Sequence, residues 1–516
     1  MISTVPPQAE SETEGICLTS GKLLARNTVI NFLGRVAPLI VAVFALPILI
    51  KSLGTERFGL LTLIWVVIGY FSIFDLGLGR ALTKFVSEKL GKKEEDGISP
   101  LVWTGLLLMV ILGLAGAAVV AWLAPWLVQD VLRVPAHLHL EALRSFYLLA
   151  LSIPIVISTS GLIGILESQQ RFGRLNAVRI MIGVYMYASP LCVLPFSNSL
   201  VPMVAVLAVG RVLSWAVYFF VCLKTMPSLR QGFVFRSAEV KPLLSFGGWI
   251  TISNIVDPVM VYLDRFLLAS MVSISVVAYY TTPHEVVTKL LMFPAALVGV
   301  FFPAFSFSAE QDPRRTELLF ERALKSVLLI LFPAILLFVL FAPEILELWL
   351  GQEFAQNSAP VWRWLTIGVL INGLAYIPAI LIQALGKPDL TGKLHLMELP
   401  VYLIVAWWMI GAYGIAGAAL AWVARASIDL ILMCAISRKL FINISPVLQR
   451  VVGFSVVGIS LMVLAMLPSS LIARVILFSL ILLAFAITVW RIILSPHERA
   501  LAKNYLKTGH LLKAGY

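Results

Sequence analysis

The sequence predicts an all-α, polytopic integral membrane protein of about fourteen transmembrane helices, set out as two six-helix lobes in parallel repeat plus two C-terminal helices. Three observations carry this expectation. Of 516 residues 60% are hydrophobic and only 13% charged, and apolar runs of spanning length recur from one end to the other. With the first residues inside, twenty-eight of the 39 lysines and arginines fall in loops or tails on one side and six on the other, which sets both termini in the cytoplasm. Finally, the stretch from Leu24 can be laid without gaps on the stretch from Leu243. Both run from inside to outside and six spans separate them, as in parallel repeats related by an axis along the membrane normal.

The net charge of +12 is therefore topology and no nucleic-acid footprint. Residues 1–22 read as a disordered cytoplasmic tail, 23–225 as the N-terminal lobe, 226–242 as a cytoplasmic linker and 243–440 as the C-terminal lobe. Residues 441–494 hold the last two helices and 495–516 a second cytoplasmic tail.

The first span, 27–50, carries Asn27, Asn31 and Arg35 at i, i+4 and i+8, one stripe on one helix face. The hinge SLGTERFG leads to a second span, 58–79, which ends in Asp75 while still inside apolar sequence. Arg35 and Asp75 lie at similar depths and are expected to pair across the two helices. Ionisable groups inside a membrane are costly and mark functional sites or helix locks. The fourth span ends in Glu167, Gln169, Gln170 and Arg171, placed at the headgroups. In the sixth, Arg211 has no acid within one turn and needs a partner from another helix or a ligand.

The seventh span puts Asn254, Asp257, Val261 and Asp264 on one face, with Arg265 about 100° away. Its Asp257–Pro258 pair suggests a break lining a wet cavity, or else a buried helix tie. The eighth holds His284, and Glu285 with Lys289 at i, i+4, the favourable order for an intrahelical pair. Counted along the backbones, Arg265 and Lys289 differ in depth by roughly 12 Å, so they read as separate rungs of an anion ladder. Arg425 and Asp429 in the twelfth span are expected to neutralise each other. Asn372 and Gln383 in the tenth suit sugar hydroxyls or interhelical bonds.

Enzyme signatures are not found: no phosphate-binding G-x-x-x-x-G-K-[ST] loop, no H-E-x-x-H, no G-x-S-x-G. The four cysteines are far apart and His137-x-His139 has no further ligands nearby, so neither a metal site nor a cofactor is expected.

The segment LGTERFGL followed by DLGLGRALTKFVSE, echoed at DRFLLASMVSISVVAYY, resembles the Wzx-type O-antigen and polysaccharide flippases. These belong to the multidrug/oligosaccharidyl-lipid/polysaccharide exporter superfamily. The resemblance implies a bacterial inner-membrane flippase for an undecaprenyl-pyrophosphate-linked oligosaccharide, working by alternating access in surface polysaccharide biosynthesis. Its partners would be the lipid-linked oligosaccharide, membrane lipids, and a polysaccharide polymerase with its chain-length regulator. On that reading Arg35, Arg211, Arg265, Lys289, Asn31 and Asn254 contact substrate. Asp75, Asp257, Asp264, Glu285, His284, Arg425 and Asp429 form the coupling or supporting network. A cation-coupled drug antiporter is the alternative, since the same acids suit an acidic cavity; a membrane-embedded glycosyltransferase or ligase would need larger outer loops.

Overall fold

The computed structural model describes residues 21–70, 75–131, 134–271, 274–309 and 311–441, most of 457–493, and scattered positions beside them. Both expected tails lie outside the described residues, apart from their inner edges, as does part of the thirteenth expected span. The described chain is a succession of helices: α1 (Gly21–Tyr70), α2 (Leu78–Lys92), α3 (Ile98–Trp126), α4 (His139–Ser168), α5 (Phe172–Val193), α6 (Leu200–Thr225) and α7 (Ser237–Met271). After it come α8 (Ile274–Val287), α9 (Met292–Ser308), α10 (Pro313–Leu340), α11 (Ala342–Leu350), α12 (Gln352–Ala384), α13 (Pro388–Leu440) and α14 (Leu471–Thr488). Nine helical segments among the described residues are long and apolar enough to cross a membrane. Large apolar side chains such as Phe196 (89% exposed) and Leu348 (92%) face outward, as lipid-facing surface does.

Two of the longest helical stretches change direction along their length. In α13, Gly414 takes φ 57°, ψ −134°, which divides the helix into the eleventh and twelfth expected spans. In α1 the expected hinge SLGTERFG contains no proline, and helical bonding runs through it. The contacts along α4 show the reversal nonetheless. Asn27 bonds Gln170, just past one end of α4, at 3.0 Å, and Arg57 bonds Glu141 at the other end at 3.4 Å. Asp75 bonds Ser160, back toward the Gln170 end, at 2.8 Å. A straight α1 would be about 75 Å long and would carry Tyr70 far beyond Glu141, out of reach of Asp75 through four residues. The chain therefore doubles back within the helically bonded stretch.

Close Cα-level contacts divide the chain into two units. The first comprises residues 1–262, 295–319 and 378–401, so it joins α1–α6 to one end each of α7, α9, α10, α12 and α13. Small residues let its helices approach. A Cβ on Gly113 would meet the Pro154 backbone of α4, and one on Gly164 would lie against the Gly79 carbonyl of α2. The α2 start is shaped by Leu76 and Gly77, both left-handed at φ 46° and 66°, which ends one helical run and begins the next.

The second unit gathers residues 263–294, 320–377 and 402–516. Here α14 packs on α10 through Phe332 stacked on Phe485 (ring centroids 4.3 Å apart), and Phe341 stands edge-on to Phe478. Arg474, in the first turn of α14, is 8% exposed and pairs with Glu344 at 2.8 Å. Docking of the last helix thus combines aromatic stacking with a mostly buried ion pair.

Candidate transport site

The first unit contains a polar network that begins on the stripe of α1. Asn27 donates to the Gln170 side chain, and Gln170 donates onward to the Val300 carbonyl of α9 at 3.0 Å. Asn31 donates to the Ala296 carbonyl at 3.0 Å and accepts from Arg179 of α5 at 2.6 Å. Arg179 also donates to Asn176 at 2.9 Å and lies 3.8 Å from Glu167. Asn27, Asn31 and Asn176 are buried almost completely, so each needs these partners. Beside them Arg80 donates to Gln383 of α12 at 3.0 Å.

Every link from α1–α6 to α9 and α12 in this set joins the first half of the expected repeat to the second. The helices meet at the end where the basic loops lie, and they do so through hydrogen bonds. Such bonds are individually worth about 0.5–1.5 kcal/mol net.

Asp75 sits close by but serves its own turn. Its carboxylate accepts from the Gly77 amide at 2.7 Å and from Ser160, which holds the α2 start as an N-terminal cap does. The expected Arg35–Asp75 pair falls outside the described side chains, as does the side chain of Asp257.

The other sequence-selected residues occupy the second unit, except Asn254 and Arg211. Asn254 is exposed on α7 in the first unit. Asp264 is fully buried and accepts from the Tyr280 hydroxyl. Arg265 donates to Glu285 at 2.7 Å and approaches the His284 ring at 3.3 Å. Lys289, 77% exposed, lies 3.8 Å from the same Glu285. The expected intrahelical pair is therefore present, but the ladder of separated cations is not: Arg265 and Lys289 share one acid. Backbone depth misled because an arginine and a lysine reach toward a carboxylate placed between them. His284 is buried between Tyr280 and Trp422, as a packed helix contact is. Arg425 and Asp429 are both buried, and the Arg425 guanidinium stands 5.9 Å from the Tyr402 ring.

Arg211 differs from the other expected cations. On α6 its guanidinium meets only the Met186 sulfur, at 4.0 Å, and it forms no ion pair among the described residues. A cation held without an acid partner inside the membrane is set up to meet an anion from elsewhere.

Sequence reasoning missed Arg179, Asn176 and Gln170 as network members. The one signal for Gln170 and Glu167 was their place next to Arg171 at a helix end, which read as headgroup contact.

This architecture has solved counterparts. A multidrug resistance MATE family transporter of the MOP superfamily, in an outward-facing conformation, superposes with a TM-score of 0.72 at 15% identity, covering 84% of this chain and 98% of that one. The fold is thus the one that these transporters share. Residues 24–308 match the polysaccharide biosynthesis protein family, to which the chain belongs. A Shigella flexneri protein named as an O-antigen transporter is 31% identical over 410 residues, 80% of this chain and 96% of its own length. The lipopolysaccharide biosynthesis protein WzxC of Escherichia coli is 25% identical over 190 residues, 36% of this chain and 38% of that protein.

Proposed function

We propose that the protein is an alternating-access flippase that moves a lipid-linked oligosaccharide, of the undecaprenyl-pyrophosphate class, across a bacterial inner membrane for surface polysaccharide assembly. The observation that carries this reading is the polar seam joining α1–α6 to α9 and α12 at their basic end. A transporter of bulky polar cargo needs one end that closes firmly and reopens, and hydrogen-bonded helix ends supply that. The relatives named for O-antigen transport and lipopolysaccharide biosynthesis support the cargo class. Two six-helix lobes at 23–225 and 243–440, with helices 441–494 appended, are the moving parts in this reading. A polymerase and its chain-length regulator would take up the delivered lipid-linked unit.

The decisive test is a deletion strain. It is expected to lose surface glycan and to accumulate lipid-linked precursor on the inner leaflet. Intact surface glycan, or drug sensitivity as the sole defect, would replace this reading with the drug-antiporter one.

The orientation has its own check. In a cysteine-free background, single cysteines at Ser197, Ser275 and Gly414 are expected to label from outside and those at Gly173, Gln311 and Gly386 only after permeabilisation. Reversal at two sites would invert the membrane topology.

Among the expected anion contacts, Arg211 carries the clearest prediction. Arg211→Ala at matched abundance is expected to lower export at least tenfold with little change in thermal stability, because no ion pair is lost. Arg265→Ala leaves Glu285 with Lys289 and is expected to act more weakly. Normal export by Arg211→Ala would remove it from the binding set.

A further inference from the structure

A cavity of about 910 Å³ opens at the basic end of the first unit, next to the polar seam, with which it shares Gln170. It is formed by the beginnings of α1, α3 and α5 and the ends of α2, α4 and α6. Three arginines line it: Arg26, Arg171 and Arg174. None of the three forms an ion pair among the described residues, and Asp96 is the one acid in the lining. Three exposed arginines against a single exposed carboxylate give the lining a net positive charge.

Two helix starts add to this. Ile98 and Ser99 open α3, while Arg171 and Gly173 flank the start of α5. Neither helix has a side-chain cap bond or an acidic residue in its first turn. Uncapped amides and the positive end of the helix dipole favour an anion there. A separate observation points the same way. Ser99 is 5% exposed and lines the cavity, yet its hydroxyl has no hydrogen-bond partner. A buried hydroxyl without a partner is costly unless a ligand or water satisfies it.

We propose that this cavity is a binding site for the phosphate headgroup of a membrane lipid, with Arg26, Arg171 and Arg174 supplying charge and Ser99 a hydrogen bond. Its volume lies near the upper end for small-ligand pockets, about 300–1,000 Å³, so a diphosphate with an attached sugar fits. In this proposal the hydrocarbon tail stays in the bilayer. Two lipids share this chemistry: the diphosphate-linked cargo, docking before transport, and an anionic phospholipid held as a structural partner. Assignment to the cargo rests on the proposed function, whereas the phosphate site itself does not.

The test uses the purified full chain in phosphatidylcholine nanodiscs. Binding of a prenyl diphosphate, phosphatidylglycerol, cardiolipin and inorganic pyrophosphate is measured for the native chain, the triple variant Arg26→Gln, Arg171→Gln, Arg174→Gln, and Ser99→Ala. At least one lipid phosphate is expected to bind with a steep salt dependence. The triple variant is expected to weaken it tenfold or more and Ser99→Ala several-fold. Ser99→Ala removes a hydroxyl that bonds nothing in the protein, so its fold is expected to be intact. Unchanged affinity in both variants, or no lipid phosphate bound by the native chain, overturns the site. Prenyl diphosphate binding at least tenfold tighter than phospholipid assigns the site to cargo loading, and equal or tighter phospholipid binding assigns it to a structural lipid. A deletion strain with normal surface glycan, alongside arginine-dependent phosphate binding, would overturn the flippase reading while leaving the site in place.

Discussion

Arg179→Ala is expected to cause the larger of two losses, abolishing glycan export and lowering thermal stability together. Arg179 donates to Asn31 and Asn176 and faces Glu167, and Asn31 in turn holds the Ala296 carbonyl of α9. Removing it strands the Asn31 and Asn176 side-chain oxygens, which are fully buried, and takes one positive charge from beside Glu167. Hydrogen bonds to charged groups contribute about 1.5–3 kcal/mol each, so a loss of roughly 3 kcal/mol is expected even after partial rehydration. For Arg179→Lys partial recovery is expected, because an ammonium can reach one acceptor but cannot bridge three with a planar fork. The measurement is thermal unfolding of detergent-purified protein, set beside surface glycan at matched abundance. In a double-mutant cycle, Asn31→Ala combined with Arg179→Ala is expected to be strongly non-additive, because the two share one bond. Additive effects, or normal unfolding of Arg179→Ala, would show that the network does not hold the seam.

Several of these relations were readable before any coordinates, and the reasons divide cleanly. Asn27 and Asn31 stand out because polar residues inside an apolar run cannot be hidden, and their spacing puts them on one helix face. The helical, apolar character of the chain follows from hydropathy, and the expected direction of each span rests on loop charge, both averages over many residues. Arg179 was concealed by that same averaging: counted with the loop arginines, it contributed to topology and nothing else. It sits two turns inside α5, at a depth where its long side chain folds back to Asn31. Arg265 and Lys289 were misplaced relative to each other for a related reason, since residue counting measures Cα positions and charge meets charge at side-chain ends. The phosphate cavity was beyond reach altogether. Its lining comes from six helix ends spread over some two hundred residues, and no local pattern relates Arg26 to Ser99 or Arg174.

Gly247→Ala is expected to impair export and lower stability, while Gly248→Ala, one residue on, is expected to be harmless. The contrast comes from what each new methyl would meet. A Cβ on Gly247 would fall on the Leu76 carbonyl and crowd Gly77 and Leu78, all backbone, whereas a Cβ on Gly248 meets nothing within 4 Å. Both glycines lie inside α7, so each substitution gains about 0.5–1 kcal/mol of helix preference. At Gly248 that gain stands alone. At Gly247 overpacking costs about 1–3 kcal/mol, because a backbone neighbour cannot rotate away. The sign of the net effect therefore reverses between adjacent residues of one type. The contact also matters for movement. Leu76 and Gly77 begin α2, next to the cap made by Asp75, and Gly247 belongs to the first helix of the second repeat. Forcing the two apart is expected to weaken closure of the basic end, so Gly247→Val, with two more methyls, is expected to retain membrane insertion yet lose export almost completely. Gly77→Ala adds left-handed strain at φ 66° to the same crowding and is expected to resemble Gly247→Val more than Gly247→Ala. Equal unfolding temperatures and equal export for Gly247→Ala and Gly248→Ala would show that α2 and α7 do not meet closely in the working protein, and the seam between the two halves of the repeat would have to be placed elsewhere.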